Sequence, residues 1–175
     1  MKYKIIILVT ILLIFSLALI LNQKHQSVTS NQNYEITTIE LPEVKFTTFA
    51  GESLELNQLP GEIILLNFWA SWCAPCLAEF PSMLELVKQS KGQVTLVALS
   101  IDYSEMDAIR FLKKINYQKE KYPNIYFGWD KHKSISKEQF STIQLPETFI
   151  IKDGKIVKKI IGGITWNHDV IAPYL

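Results

Sequence analysis

Cys73 and Cys76 are the only cysteines in the chain, and two residues separate them. A pair at this spacing can close a disulfide and reopen it, because the two thiols lie about one helical turn apart. The nearly continuous apolar run 62–70 (EIILLNFWA) precedes the pair, and Leu77, Phe80, Leu84 and Val87 follow it at helical spacing. The cysteines thus stand where a buried strand passes into a helix. The unpaired N–H groups and the positive dipole end of a helix N-terminus stabilise a thiolate and lower its pKa. Cys73, nearest that end, is the expected nucleophile. Cys76 is the expected resolving thiol, which attacks a mixed disulfide and frees the partner. Two other uses of the pair are weaker. A purely structural bridge over so short a loop constrains the unfolded chain little. A zinc site needs two further ligands, and His25, His132 and His168 sit at no recognised spacing from the pair.

The elements expected to position the pair follow from periodicity. Residues 44–49 and 53–56 alternate around Ala50-Gly51 as a small hairpin. Residues 94–101 (VTLVALSI) form a second buried strand. Residues 104–115 form an amphipathic helix with Met106, Ile109, Leu112 and Ile115 on one side. Pro81 falls inside the helical pattern after Cys76 and predicts a kink rather than an end. Residues 124–127 read as a short strand and 134–140 as a short helix. Residues 148–152 and 155–161 form a hairpin closed by Asp153-Gly154, and a short helix lies near 166–174. Mixed βαβ units followed by an antiparallel hairpin give an α/β fold with helices on both faces of a central sheet.

Composition excludes some partners. The 18 basic and 17 acidic side chains nearly cancel, so no global charge nominates a nucleic acid or an anionic surface. The N-terminus is distinct from the rest. Lys2 and Lys4 precede an apolar stretch, 5–21, broken only by Thr10 and Ser16. At about 1.5 Å per residue it reaches about 26 Å, enough to cross a hydrocarbon core of about 30 Å with little to spare. A cleaved signal peptide is the alternative, but the stretch ends Ala18-Leu19-Ile20-Leu21 with no pair of small residues to mark a cleavage site. The reading is an uncleaved anchor over 1–21, a polar flexible linker over 22–33 and one folded domain over 34–175. Positive charge on the inner side places that domain outside the cytoplasm.

The segment Asn67-Phe68-Trp69-Ala70-Ser71-Trp72-Cys73-Ala74-Pro75-Cys76-Leu77-Ala78-Glu79-Phe80-Pro81 strongly resembles the active-site segment of the TlpA/ResA-like thioredoxin proteins. Gly51, Leu54 and Leu56 are similar to that family's entry hairpin, and Leu145-Pro146-Glu147-Thr148-Phe149-Ile150-Ile151 to its cis-proline loop and following strand. The resemblance implies a thioredoxin-like fold on the outer or periplasmic face of a bacterial plasma or inner membrane. It also implies a dithiol that reduces disulfides in proteins such as apocytochromes c, with electrons drawn from a membrane-embedded thiol donor. The Pro146-Glu147-Thr148 tripeptide resembles the members devoted to cytochrome c maturation. The expected cofactor is none beyond the Cys73–Cys76 disulfide itself, and no metal is expected.

Around the dithiol, several residues acquire expected roles. Cytosolic thioredoxins carry a buried acid where this chain has Asn67, which cannot carry a proton. Glu79, one turn past Cys76, is the replacement for managing the second thiol's proton, and the resemblance points to the same residue. An ordinary solvated helix carboxylate is the alternative. Trp72 is expected to cover the disulfide and Trp69 to pack in the core. Pro75 should tune the pair's redox poise. A cis Pro146 would leave the Leu145 backbone free to pair with an extended substrate; a trans proline opening the strand is the other reading. The three histidines read as surface or capping groups. A disulfide-forming oxidase and a Cu(I) chaperone remain as alternatives to a reductase.

Overall fold

The computed structural model describes residues 39–115 and 117–175, together with Tyr3. The anchor 1–21, the linker 22–33, His25 and the expected domain start lie outside the described residues, Tyr3 apart. Among the described residues no helix is long and apolar enough to cross a membrane. The elements below belong to one unit, Thr37–Leu175.

A six-stranded sheet forms the centre. Its strands are β1 (Ile39–Glu40), β4 (Ile63–Trp69), β5 (Val94–Ser100), β6 (Ile125–Trp129), β7 (Glu147–Lys152) and β8 (Lys155–Ile161). They run in the order β1-β8-β7-β4-β5-β6. β4 is parallel to β5 and β5 to β6, whereas β7 lies antiparallel to β4 and β8 to β7. β4 and β5 are buried at every position, as their unbroken apolar sequences require of strands covered on both faces. β7 and β8 are closed by Asp153 and Gly154, both at positive φ, the conformation a two-residue hairpin turn demands. A separate hairpin pairs β2 (Lys45–Thr47) with β3 (Ser53–Glu55).

Helix α1 (Ala74–Gln89) follows β4, α2 (Glu105–Lys114) follows β5, and α3 (His168–Ile171) lies near the C-terminus. α1 runs through Pro81 without ending. Helical segments lie on both faces of the sheet, as the sequence suggests, but unequally. Phe80, Met83 and Val87 of α1, Ala108 and Phe111 of α2 and Ile171 of α3 join one core with Leu65, Trp69 and Leu96. The other face carries Leu66, Phe68 and Val97 under Phe46, Leu56, Ile135 and Phe140, which come from the hairpin, a 3-10 turn and a π-helical turn at Ser134–Gln139. The cause is topological. β4–α1–β5 and β5–α2–β6 are successive right-handed crossovers stepping the same way along the sheet, so both helices land on one side.

The face of α2 also differs from expectation. Its buried positions are Ala108 and Phe111, with Leu112 and Ile115 half-buried beside them, and Met106 is exposed. Phe111 takes the inner position because its ring meets Trp69 at 4.5 Å and Phe80 at 5.4 Å between centroids. Trp69 is fully buried, in keeping with its expected place in the core.

Candidate functional site

Cys73 is the N-cap of α1 and Cys76 lies in its first turn, so the strand-to-helix passage read from the sequence is where the pair stands. The two are joined as a disulfide with Cα atoms 5.3 Å apart. The Cys76 N–H donates to Cys73 Sγ at 3.2 Å, which places the first sulfur on the unpaired donors of the helix start. Both cysteines are buried.

The loop that delivers Cys73 is held from below by a carboxylate. Asp102, just past β5 and buried, accepts from the Ser71 N–H at 2.9 Å, the Ser71 hydroxyl at 2.8 Å and the Ser100 hydroxyl at 2.7 Å. The Trp129 indole donates to the Asp102 carbonyl at 2.8 Å. These bonds tie the ends of three parallel strands to the residues before the pair.

Glu79 is not a solvated carboxylate: only 2% of it is exposed. Its Oε1 accepts from Asn67 Nδ2 at 3.0 Å, and its Oε2 from Trp166 Nε1 at 3.2 Å and the Ile164 N–H at 3.5 Å. Asn67 also donates to Thr148 Oγ1 at 2.9 Å, which links β4 to β7. Burial pushes the Glu79 carboxyl up to about 7, against the hydrogen bonds from Trp166, Ile164 and Asn67, which stabilise its charged form. A carboxyl so placed can exchange a proton near neutral pH one turn from Cys76.

The Leu145–Pro146 peptide is cis. Leu145 lines a groove of about 520 Å³ with Trp72, Cys73, Pro75, Tyr103 and Ile143. Trp72 is 64% exposed and shares the groove with the buried Cys73. Lys133 and Lys137 also line the groove, and among the described residues no carboxylate does. The groove thus brings Cys73, Trp72, Pro75 and Leu145 together, and Glu79 lies buried with Asn67 one turn along α1 from Cys76. His132 and His168 are exposed and apart from it.

Sequence reading missed several contributors. Trp166 is far from the pair in sequence and carries no local signal, and Thr148 is marked by the resemblance of its loop but not as a partner of Asn67. Asp102 sits in SIDYS at the end of β5, a position whose importance depends on how near the β4 end lies. Gly163 packs on Pro75: a Cβ there would stand 3.1 Å from Pro75 Cβ. Glu147, wholly buried next to Pro146, pairs with Lys159 at 2.8 Å on the sheet face away from α1.

A disulfide at the start of a helix, a buried acid one turn on and a cis-proline loop across the groove, all at one end of such a sheet, define a thioredoxin-like dithiol protein. Over 128 residues the chain is 38% identical to the thiol-disulfide oxidoreductase ResA of a Bacillus cereus strain, a region covering 72% of this chain and 70% of that protein. It is 33% identical over 123 residues to ResA of Bacillus subtilis (strain 168), covering 68% and 65%. The crystal structure of StoA from Bacillus subtilis superposes with a TM-score of 0.60 at 22% identity, over 76% of this chain and 96% of StoA, a likeness of fold. A match to the AhpC/TSA family spans residues 37–160. The chain belongs to that family, among its ResA-type thiol-disulfide oxidoreductases.

Proposed function

We propose that this chain is a membrane-anchored, extracytoplasmic reductase of protein disulfides. The Cys73 thiolate attacks one sulfur of a partner's disulfide. That S–S bond breaks, and its electron pair leaves on the partner's other sulfur, which takes a proton. Cys76 then loses its proton to the Glu79 carboxylate and attacks Cys73 Sγ. The Cys73–Cys76 bond forms, and the partner's second sulfur departs as a thiol. Two electrons have passed to the partner, and a membrane-embedded thiol donor restores the dithiol.

The observation that carries this reading is the buried Glu79 carboxyl one turn from Cys76. Resolution needs the inner thiol deprotonated, and an acid poised near pH 7 is matched to that task. The groove supports a polypeptide substrate, because among the described residues no hydrogen bond occupies the Leu145 backbone, which an extended segment can pair with. Apocytochrome c fits as a partner by the family resemblance. Residues 1–21 serve as the anchor and 22–33 as the linker that keeps the domain within reach of a donor in the same membrane.

The test is the reduction potential of the Cys73–Cys76 pair in the full chain, in detergent, equilibrated with glutathione or dithiothreitol buffers. A value at or below about −270 mV, as in thioredoxin, is expected of a reductant. A value near about −120 mV, as in a strong disulfide-forming protein, overturns the reductase direction.

A further inference from the structure

Four of the five residues after β8 contact the cis-proline loop, Pro75 or the turn of α1 that carries Glu79. The Gly162 N–H donates to the Pro146 carbonyl at 2.8 Å, behind the cis-proline loop. Gly163 lies so close to Pro75, between the cysteines, that a Cβ would stand 3.1 Å from the Pro75 carbonyl oxygen. The Ile164 N–H reaches Glu79 at 3.5 Å. Trp166 then closes the strap twice: its backbone N–H donates to Ser82 Oγ at 3.0 Å, and its indole N–H to Glu79 Oε2 at 3.2 Å. The Ser82 hydroxyl in turn donates to the Glu79 carbonyl at 2.8 Å, so the strap is pinned to the turn of α1 that carries the acid.

Trp166 is 3% exposed. A buried indole has one donor and needs one acceptor. Here that acceptor is the carboxylate rather than a backbone carbonyl. A hydrogen bond to a carboxylate stabilises its ionised form more than its protonated form, so this contact bears on chemistry as well as packing. Among the described residues, the other groups that hydrogen-bond the Glu79 carboxylate are uncharged. β4 contributes Asn67, backed by Thr148 of β7, and the strap contributes the Ile164 amide. Cys76 lies one turn back on the same helix. The charged pair Glu147–Lys159 lies across the sheet, since Glu147 pairs with Phe68, which points to the opposite core.

We infer that Trp166 is a positioning residue for the exchange reaction, which through its indole N–H holds the Glu79 carboxylate in place and in its proton-accepting form. This rests on the reading of Glu79 as the proton acceptor for Cys76. The strap thereby makes acid, inter-cysteine proline and cis-proline loop one mechanical unit.

The test uses the full chain in detergent and follows the rate of reduction of a peptide disulfide as a function of pH. Trp166→Phe keeps a buried aromatic ring and removes the donor. Loss of that bond weakens the ionised form, so the rising limb of the profile moves to higher pH, by about one unit for a charge-assisted bond. Ser82→Ala releases the strap's second pin without touching the indole core, and moves the limb in the same direction by less. In a Glu79→Gln background neither change moves the profile. A Trp166→Phe or Ser82→Ala chain that is less stable but keeps the native profile overturns the inference, since packing alone would do that. If Glu79→Gln itself leaves the native profile intact, the proton-acceptor reading falls first and the role of Trp166 falls with it.

Discussion

Burial holds the Glu79 carboxyl protonated up to about pH 7, whereas the unfolded chain ionises it near the ordinary 4.5. Between those values the native state binds the extra proton, so stability falls as pH rises through that window and is level above it. The gap corresponds to about 3 kcal/mol. Glu79→Gln cannot ionise and removes this slope. Urea unfolding of the oxidised forms at pH 4 and pH 8, where no thiol titrates, should show the native chain losing about 3 kcal/mol relative to the variant. Parallel pH dependences would mean that the acid is not held as described. The same side chain shows what sequence can and cannot reveal. Its place one turn past Cys76 is written in the spacing and marks it as a candidate. Its burial depends on Trp166 and Ile164, more than eighty positions away, and on Asn67 from the neighbouring strand. No local pattern encodes those approaches.

At the level of elements, strands and hairpins were legible because their cause is local. Apolar runs bury β4 and β5, and Asp153-Gly154 can take the backbone that a tight turn needs. Which face an element covers is decided by how neighbours pack, and there sequence alone misled over Met106 on α2, which is exposed. The hairpin of β2 and β3 shows a similar dependence. Thr48 bridges Gly128 of β6, and the Phe49 N–H donates to the Phe127 carbonyl at 2.9 Å. A Cβ on Gly128 would stand 2.6 Å from the Thr47 carbonyl oxygen, a backbone atom that cannot swing aside. Gly128→Ala should therefore push the hairpin off the sheet edge and cost about 1–3 kcal/mol, read as a lower denaturant midpoint. An unchanged midpoint would show that the hairpin is not seated on β6 as tightly as its bridge implies.

At the scale of the whole molecule, balanced charge says little about partners, and the informative asymmetry is between the apolar residues 5–21 and the domain that follows. If those residues anchor the chain, membranes washed in alkaline carbonate should retain the full-length protein, while a chain beginning at residue 34 should appear in the supernatant. A shortened mature form released from cells expressing the full sequence would favour the cleaved signal instead. The domain itself has two unlike ends. β1 pairs with Lys155 and Ile156, beside the Asp153-Gly154 turn, where β4 begins at Ile63 opposite Lys152. The sulfur pair emerges past the far end of β4, about 20 Å away at strand spacing. Whatever precedes Ile39 therefore joins at the heel of the domain. A tether joined there is attached opposite the sheet end that carries the sulfurs. A donor and an acceptor can then take turns at that end without the chain ever letting go.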